Sequence, residues 1–213
     1  MCKTRRVVVV IVVVTAVCHV LFLRGNYASL SHIGKSKLGI CNESSIPVGD
    51  DIISKIREWV QMENLGSYRL VDFGCGDGGF LRKTHDLFRD AHGVEIDART
   101  AQRASEKLED LKNVRIVCAD MLDYAFERMP TVLFMYEPLW NCSEEFAQII
   151  YDIFFSSRAE CIDYILYVTG ALRSDVHPEP YGFEEIRTFS HGPVFFRKTC
   201  RLFRKINVFN NKE

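Results

Sequence analysis

Short apolar segments alternate with longer amphipathic segments along most of the chain after residue 47. We predict strands at residues 70–73, 92–96, 114–118, 131–136 and 164–169. We predict helices from about Asp50 and at 79–89, 99–111 and 143–155. Parallel strands need long crossover connections, which are usually helices. The alternation therefore predicts an α/β fold, a doubly wound parallel sheet with helices on both faces.

The C-terminal part of the chain departs from this alternation. The segments 183–190 and 193–206 are both strand-like, and only His191, Gly192 and Pro193 join them. This connection is too short to contain a crossover helix. We therefore predict an antiparallel hairpin at the end of the sheet.

A glycine-rich loop follows the first predicted strand in "RLVDFGCGDGGFL". Gly74, Gly76 and Gly79 satisfy the pattern G-x-G-x-x-G. Glycine permits a tight turn and lets a ligand approach backbone N–H groups at the start of the next helix. The pattern alone predicts a nucleoside cofactor of some kind, because several Rossmann domains share it.

Acidic residues at the ends of three successive predicted strands narrow the choice of cofactor. Asp72 precedes the glycine loop, Glu95 ends the second strand and Asp120 follows the third. A carboxylate beside the loop repels a pyrophosphate but attracts the sulfonium and ammonium groups of S-adenosylmethionine. We expect Glu95 to accept hydrogen bonds from the ribose hydroxyls and Asp120 from the adenine amino group. Ile96 and Met121 then cover the faces of the adenine ring.

The motifs "VDFGCGDGGFL", "GVEID", "VCADML" and "TVLFMYEPLW" together resemble the class I, seven-strand S-adenosylmethionine-dependent methyltransferases. The resemblance covers about residues 47–205. It implies a Rossmann-like sheet of order 3-2-1-4-5-7-6 with an antiparallel seventh strand. It also implies cofactor-binding roles for Asp72, Gly74, Gly76, Gly78, Glu95 and Asp120.

The segment "MYEPLW" after the fourth strand is the predicted acceptor site, with Tyr136, Glu137 and Trp140 as its catalytic residues. It resembles the N/D-P-P-Y/F/W loop of amine and amide methyltransferases, but Glu137 replaces the Asn or Asp and Leu139 replaces the second proline. A glutamate can pair with a lysine ammonium or accept its proton, while Tyr136 and Trp140 flank the amine by cation–π contact. Alternatively, Trp140 closes the core and Glu137 contacts cofactor or water.

Residues 7–23 form an almost purely aliphatic segment, "VVVVIVVVTAVCHVLFL", with basic residues on both sides. At about 1.5 Å per residue, a helix of this length spans a thinned bilayer. We expect an uncleaved single-pass membrane anchor at 1–24, preceding a polar linker at 25–46 and a methyltransferase domain at 47–213. A cleaved signal peptide and a targeting sequence that is later trimmed are the alternatives.

The charge distribution argues against a nucleic-acid-binding protein, and the cysteine spacing argues against a metal-binding one. Residues 43–213 carry 21 basic and 28 acidic side chains, so we expect no nucleic-acid partner. The eight cysteines form no metal-binding pattern, and we predict no metal site. Cys75 and Cys118 lie in predicted strands or strand ends, where we expect a cysteine to act as a small hydrophobe. Three side chains have structural interpretations: Asp97 caps a helix, and Asp123 and Tyr124 lie on the surface. His177 is a candidate acid–base group between strands five and six, or alternatively a solvated loop residue. The basic residues of 195–205 face anionic lipid, an acidic partner or solvent.

We therefore predict a membrane-anchored methyltransferase that acts on an amine, with a protein lysine as the favoured acceptor. The organisation is similar to that of mitochondrial membrane-anchored protein-lysine methyltransferases, although their fourth-strand sequence differs. Cofactor supply favours a catalytic domain in the cytosol or the mitochondrial matrix. A lipid or small-metabolite acceptor, or a non-catalytic cofactor-binding scaffold, is the alternative.

Overall fold

The computed structural model describes residues 48–136, 144–170, 177–192 and 197–206. Four α-helices lie in these ranges: α1 Asp50–Met62, α2 Gly79–Thr84, α3 Ala98–Lys107 and α4 Glu144–Arg158. The strands are β1 Arg69–Phe73, β2 Asp90–Glu95, β3 Val114–Cys118, β4 Thr131–Tyr136, β5 Tyr164–Gly170, β6 Phe183–His191 and β7 Lys198–Lys205. Single 3₁₀ turns occur at Leu65–Ser67, His85–Leu87, Ala159–Cys161 and Glu179–Tyr181.

The seven strands form one sheet of order β3-β2-β1-β4-β5-β7-β6. The strands β1 to β5 pair in parallel, whereas β7 runs antiparallel to both β5 and β6. The predicted α/β class, sheet order and terminal hairpin are confirmed. The carboxyl ends of the parallel strands, β1 to β5, lie at one edge of the sheet. The segments that follow these strands therefore all begin at that edge.

Two hydrophobic cores cover opposite faces of the sheet because side chains alternate along each strand. One core includes Leu70 and Phe134 of the sheet and Phe80 of α2, with the Phe80 and Phe134 rings stacked. The other includes Phe73 of β1 and Phe154 of α4. Burial of one such aromatic side chain contributes about 2–3 kcal/mol. The predicted placement of helices on both faces is confirmed.

The helix ends differ from the sequence-based bounds where groups distant in sequence bind the backbone. The predicted helix 79–89 ends at Thr84 and continues as a 3₁₀ turn to Leu87. The side-chain amide of Asn113 donates to the carbonyl oxygen of His85 at 2.9 Å. This bond satisfies a carbonyl that a longer helix would use, so α2 stops one turn early. Asp97 caps α3 as predicted, and its carboxylate accepts from the Thr100 backbone N–H at 2.9 Å.

Two smaller expectations are wrong. Tyr124 is buried, not on the surface, because its hydroxyl bonds to His92 Nδ1 at 2.7 Å and its ring packs against Phe73. Cys118 was expected to act as a small buried hydrophobe, but it is exposed. It ends β3, which is an edge strand of the sheet and has one neighbour only. Asp123 is exposed as expected.

The predicted membrane segment 7–23 and the linker 25–46 lie outside the described residues. Among the helices of the described ranges, none is long and apolar enough to cross a bilayer. The N-terminal anchor and the domain bounds therefore stay predictions.

Candidate active site

The glycine loop leaves β1 in a backbone conformation that glycine adopts readily. Gly74, Gly76 and Gly78 have φ values of 73°, 55° and 78°, in the left-handed region. The backbone N–H groups of Gly74 and Cys75 both donate to the Val94 carbonyl, at 2.9 and 3.2 Å. These bonds tie the start of the loop to the end of β2.

Gly78 has a packing role in addition to its backbone role. It precedes the first residue of α2, and a Cβ added to it would lie 2.4 Å from Leu108 Cδ1. The side chain of Asp77 holds the same turn, because its carboxylate accepts from the Gly79 N–H at 3.1 Å and from Lys107 Nζ at 2.7 Å. Close packing of α3 against the loop thus fixes where the N-terminus of α2 lies.

Asp72 lies inside β1 and is buried, with 2% of its surface exposed. Its oxygen Oδ2 has no hydrogen-bond partner among the described residues. Burial raises the pKa of this carboxyl group well above its usual range, and the nearby charge of Glu95 raises it further. A buried carboxyl oxygen without a partner is costly, so the site favours a ligand that brings a positive charge or a hydrogen-bond donor.

Glu95 ends β2, where the sequence predicts it, and contacts the loop directly. One carboxylate oxygen accepts from the Gly76 N–H at 3.1 Å, and the other accepts from the Asp97 N–H at 2.9 Å. The two bonds hold the carboxylate at the carboxyl edge of the sheet. Each oxygen keeps a second lone pair for a ligand hydroxyl.

The third predicted carboxylate, Asp120, lies in the turn after β3. Its Oδ1 accepts from the Leu122 N–H at 2.9 Å, and β3 is joined to β2 through the bond from Ala119 N to Glu95 O at 3.1 Å. The two predicted ring-covering residues, Ile96 and Met121, are half-buried after β2 and β3. All of the predicted cofactor residues therefore belong to the carboxyl edge of β1, β2 and β3.

Of the three predicted acceptor-site residues, one, Tyr136, is among the residues that the structure describes. Tyr136 is the last residue of β4 and is half-buried. The ammonium nitrogen of Lys198 lies 5.0 Å from the centroid of its ring. Glu137 and Trp140 lie outside the described residues. His177 is exposed over 62% of its side chain, as expected for a solvated loop residue.

The residues around the glycine loop fit S-adenosylmethionine. The buried oxygen of Asp72, which has no partner among the described residues, suits a cationic ligand. The glycines at positive φ leave the loop without side chains at these positions, so a ligand can approach its backbone. Within the described residues, no group of His, Cys, Asp and Glu could hold a metal ion.

Sequence reasoning missed three partners of the site. Leu108 packs beneath Gly78, Lys107 binds Asp77, and Lys198 covers Tyr136. Lys198 was seen only as one of several charges in a basic strand. None of the three carries a local sequence motif, because each meets its partner through the sheet topology.

Comparison with known proteins supports the class that the motifs predicted. Residues 70–154 match a family model described as "Methyltransferase domain". A search of the curated proteins finds no significant match.

Similar solved structures share the fold at low sequence identity. Magnesium protoporphyrin IX methyltransferase from Synechocystis, solved with S-adenosylmethionine, has a TM-score of 0.59 and 13% identity, over 87% of this chain and 97% of that one. The N-methyltransferase NodS from Bradyrhizobium japonicum has 0.59 and 9%, over 74% and 96%. The 23S rRNA methyltransferase ErmE has 0.55 and 20%, over 76% and 70%.

Residues 70–154 match a methyltransferase domain, and the sheet order and the similar structures support the class I S-adenosylmethionine-dependent methyltransferase fold that the sequence predicted. The methyltransferase domain indicates an enzyme, as the sequence predicted. S-adenosylmethionine, the predicted cofactor, is bound in the structure of the similar magnesium protoporphyrin IX methyltransferase.

Proposed function

We propose that this methyltransferase transfers its methyl group to an amine, with a protein lysine as the favoured acceptor. We further propose that residues 7–23 hold it at a membrane, with the catalytic domain in the cytosol or the mitochondrial matrix. The cation–π contact between Lys198 and Tyr136 carries the proposal for the acceptor. It supports an aromatic face that binds an ammonium group at the end of β4.

The proposed cofactor contacts divide among the three carboxylates. S-adenosylmethionine supplies a methyl group on a sulfonium, which is a good leaving group, so the protein mainly has to position donor and acceptor. Asp72 offers its unpartnered oxygen to the cationic part of the ligand, directly or through a water molecule. Glu95 accepts from the ribose hydroxyls while its bonds to Gly76 and Asp97 keep it in place. Asp120 accepts from the adenine amino group.

The proposed acceptor contacts lie beside the glycine loop. Met135 pairs with Phe73 across β4 and β1, so Tyr136 comes next to the point where the loop leaves the sheet. An amine on the Tyr136 ring would then lie close to the cofactor. In this proposal Glu137 accepts the ammonium proton and Trp140 covers the second face of the amine.

The basic side chains of β7 are mostly paired within the protein, which supports a strand that faces solvent and not lipid. Arg204 pairs with Glu184 at 2.6 Å, Arg201 lies 3.7 Å from Glu185, and Lys205 donates to a backbone carbonyl. A predominantly paired strand face leaves little positive charge for anionic headgroups. Membrane attachment is therefore proposed for residues 7–23 alone.

Methyl transfer to fractionated protein, lipid and metabolite pools tests the acceptor. Label from the methyl group of S-adenosylmethionine should enter the protein pool, on lysine. Tyr136→Leu should reduce the transfer rate about 2-fold to about 30-fold, the range of a cation–π contact, while Tyr136→Phe keeps most of it. Label confined to the lipid pool would favour the second candidate, a lipid acceptor, for which the apolar segment 7–23 is the supporting observation.

Membrane attachment has a test of its own. The full chain should remain with membranes after alkaline extraction, whereas a chain without residues 7–23 should be released. Release of both forms would contradict the anchor and leave the acceptor proposal untouched.

A further inference from the structure

The first residue of β7 lies at the same edge of the sheet as the proposed acceptor site. Tyr136 pairs with Val168 of β5, and Val168 pairs with Cys200 of β7. Lys198 precedes Cys200 by two residues and pairs with Gly170, at the carboxyl end of β5. Because side chains two residues apart share a face, Lys198 and Tyr136 project from the same face of the sheet.

The side chains confirm this placement. The ammonium nitrogen of Lys198 lies 5.0 Å from the centroid of the Tyr136 ring, within the range of a cation–π contact. Both residues are half-buried. An amine from the enzyme's own chain therefore occupies the aromatic face that is proposed to bind the acceptor amine.

Other lysines of the described ranges are held elsewhere. Lys55, Lys83 and Lys107 each bind a carboxylate, at 2.5, 2.6 and 2.7 Å. Lys205 lies at the other end of β7 and donates to the Tyr181 carbonyl at 2.9 Å. Within the described residues, no carboxylate lies within ion-pair distance of Lys198. In the part of the chain that the structure describes, no ion pair therefore competes with the contact between the Lys198 ammonium and the Tyr136 ring.

We propose that the enzyme methylates Lys198 of its own chain. The inference rests on the proposed amine acceptor site and names one lysine that this site takes. The Lys198 amine first releases a proton to solvent, and its lone pair then forms a bond to the methyl carbon. The bond between that carbon and sulfur breaks, its electron pair stays on sulfur, and S-adenosylhomocysteine leaves. The methylated ammonium keeps its contact with Tyr136, because aromatic faces also bind methylated lysine.

Mass spectrometry of the purified full chain tests the proposal. After incubation with S-adenosylmethionine labelled in its methyl group, the label should appear on the peptide that contains Lys198. Lys198→Arg should reduce labelling of the chain at least about tenfold. Lys205→Arg, a matched change at the other end of the same strand, should leave the labelling unchanged.

The outcomes separate this inference from the proposed function. Labelling of an added lysine-containing protein without labelling of Lys198 overturns self-methylation and leaves the amine acceptor intact. Labelling of other lysines in the chain, with Lys198 unmodified, also overturns it. Absence of label from both the chain and every added amine overturns the acceptor proposal, and self-methylation with it.

A second measurement needs no cofactor. Chemical reductive methylation with carbon-13 formaldehyde labels lysines, and Lys198→Arg identifies the resonance of Lys198. The ring of Tyr136 should shift that resonance upfield of those of the exposed lysines. Tyr136→Phe should keep the shift and Tyr136→Leu should remove it. A Lys198 resonance at the position of exposed lysines in the unaltered enzyme contradicts the geometry on which the proposal stands.

Discussion

The two halves of the carboxyl edge differ in how their charged groups are satisfied. On the side of β1, β2 and β3, the buried carboxyl of Asp72 has an oxygen without a partner among the described residues. On the side of β4, β5 and β7, the ring of Tyr136 is covered by the ammonium of Lys198. The first side, which we call the cofactor half, therefore has a buried carboxyl without a cationic partner among those residues. The second side, the proposed acceptor half, already contains a cation.

This difference shows that the two halves face different physical problems. A cofactor site of this kind must keep a buried charge ready for a ligand, at the expense of the stability of the empty enzyme. An acceptor site on the enzyme surface can use a side chain of its own until an external amine replaces it.

The largest expected effect comes from two glycines that share a backbone conformation but differ in packing. Gly78 and Gly182 have φ values of 78° and 84°. A Cβ at Gly78 would clash with Leu108, but one at Gly182 meets only Lys205 at an ordinary 3.5 Å. We expect Gly78→Ala to lower the free energy of unfolding by about 2–4 kcal/mol. Gly182→Ala should lower it by about 1–2 kcal/mol.

Chemical denaturation measures both changes. Equal losses for the two variants would show that Leu108 yields without cost, and that the loop of the cofactor half is no more constrained than the turn before β6.

The two carboxylates of the cofactor half should respond to neutralisation with opposite signs. Asp72→Asn should raise the free energy of unfolding of the cofactor-free enzyme by about 1–3 kcal/mol at neutral pH, because it removes a poorly solvated charge. Glu95→Gln should lower it by about 1–3 kcal/mol, because the carboxylate accepts from two backbone N–H groups.

The raised pKa of Asp72 also determines how its contribution to the free energy of unfolding changes with pH. The pKa of Asp72 is higher in the folded than in the unfolded chain, so the folded state binds the extra proton. The unfavourable contribution therefore grows as the pH rises above the unfolded value, and Asp72→Asn should remove it. Denaturation at several pH values measures this. An Asp72→Asn variant less stable than the unaltered enzyme at neutral pH is the contradictory result.

The smallest expected effect distinguishes a buried histidine from an exposed one. Burial lowers the pKa of His92, and the nearby charge of Arg69 lowers it further. The unfolded state therefore binds the proton first, and the free energy of unfolding should fall as the pH drops below about 6.5. The slope should reach at most about 1.4 kcal/mol for each pH unit.

Two substitutions check the assignment. His92→Gln should flatten the pH dependence, whereas His177→Gln, at an exposed position, should leave it unchanged. A flattened pH dependence in the His177 variant would contradict the assignment of the effect to His92.

Much of the fold could be predicted because its determinants are local. The strands 114–118 and 131–136 are continuous apolar or alternating runs, and the structure has the same bounds. The position of Asp72 relative to β1 also follows from the sequence, because the glycine loop marks the carboxyl end of that strand.

The remaining features depend on contacts between distant parts of the chain. Asn113 ends α2 through His85, and Tyr124 is buried because His92 binds its hydroxyl. The Lys198–Tyr136 contact requires β7 to lie next to β5, which sequence periodicity does not determine. Such pairs become visible only when the order of the strands is known.

Calorimetric titration of the enzyme and of Asp72→Asn with S-adenosylmethionine tests the central claim most directly. The claim is that a buried carboxylate at the end of β1 recognises a cationic cofactor. We expect Asp72→Asn to bind at least about tenfold more weakly, a loss of about 1.4 kcal/mol, although it is the more stable protein. Equal affinity of the two proteins for S-adenosylmethionine would contradict the account.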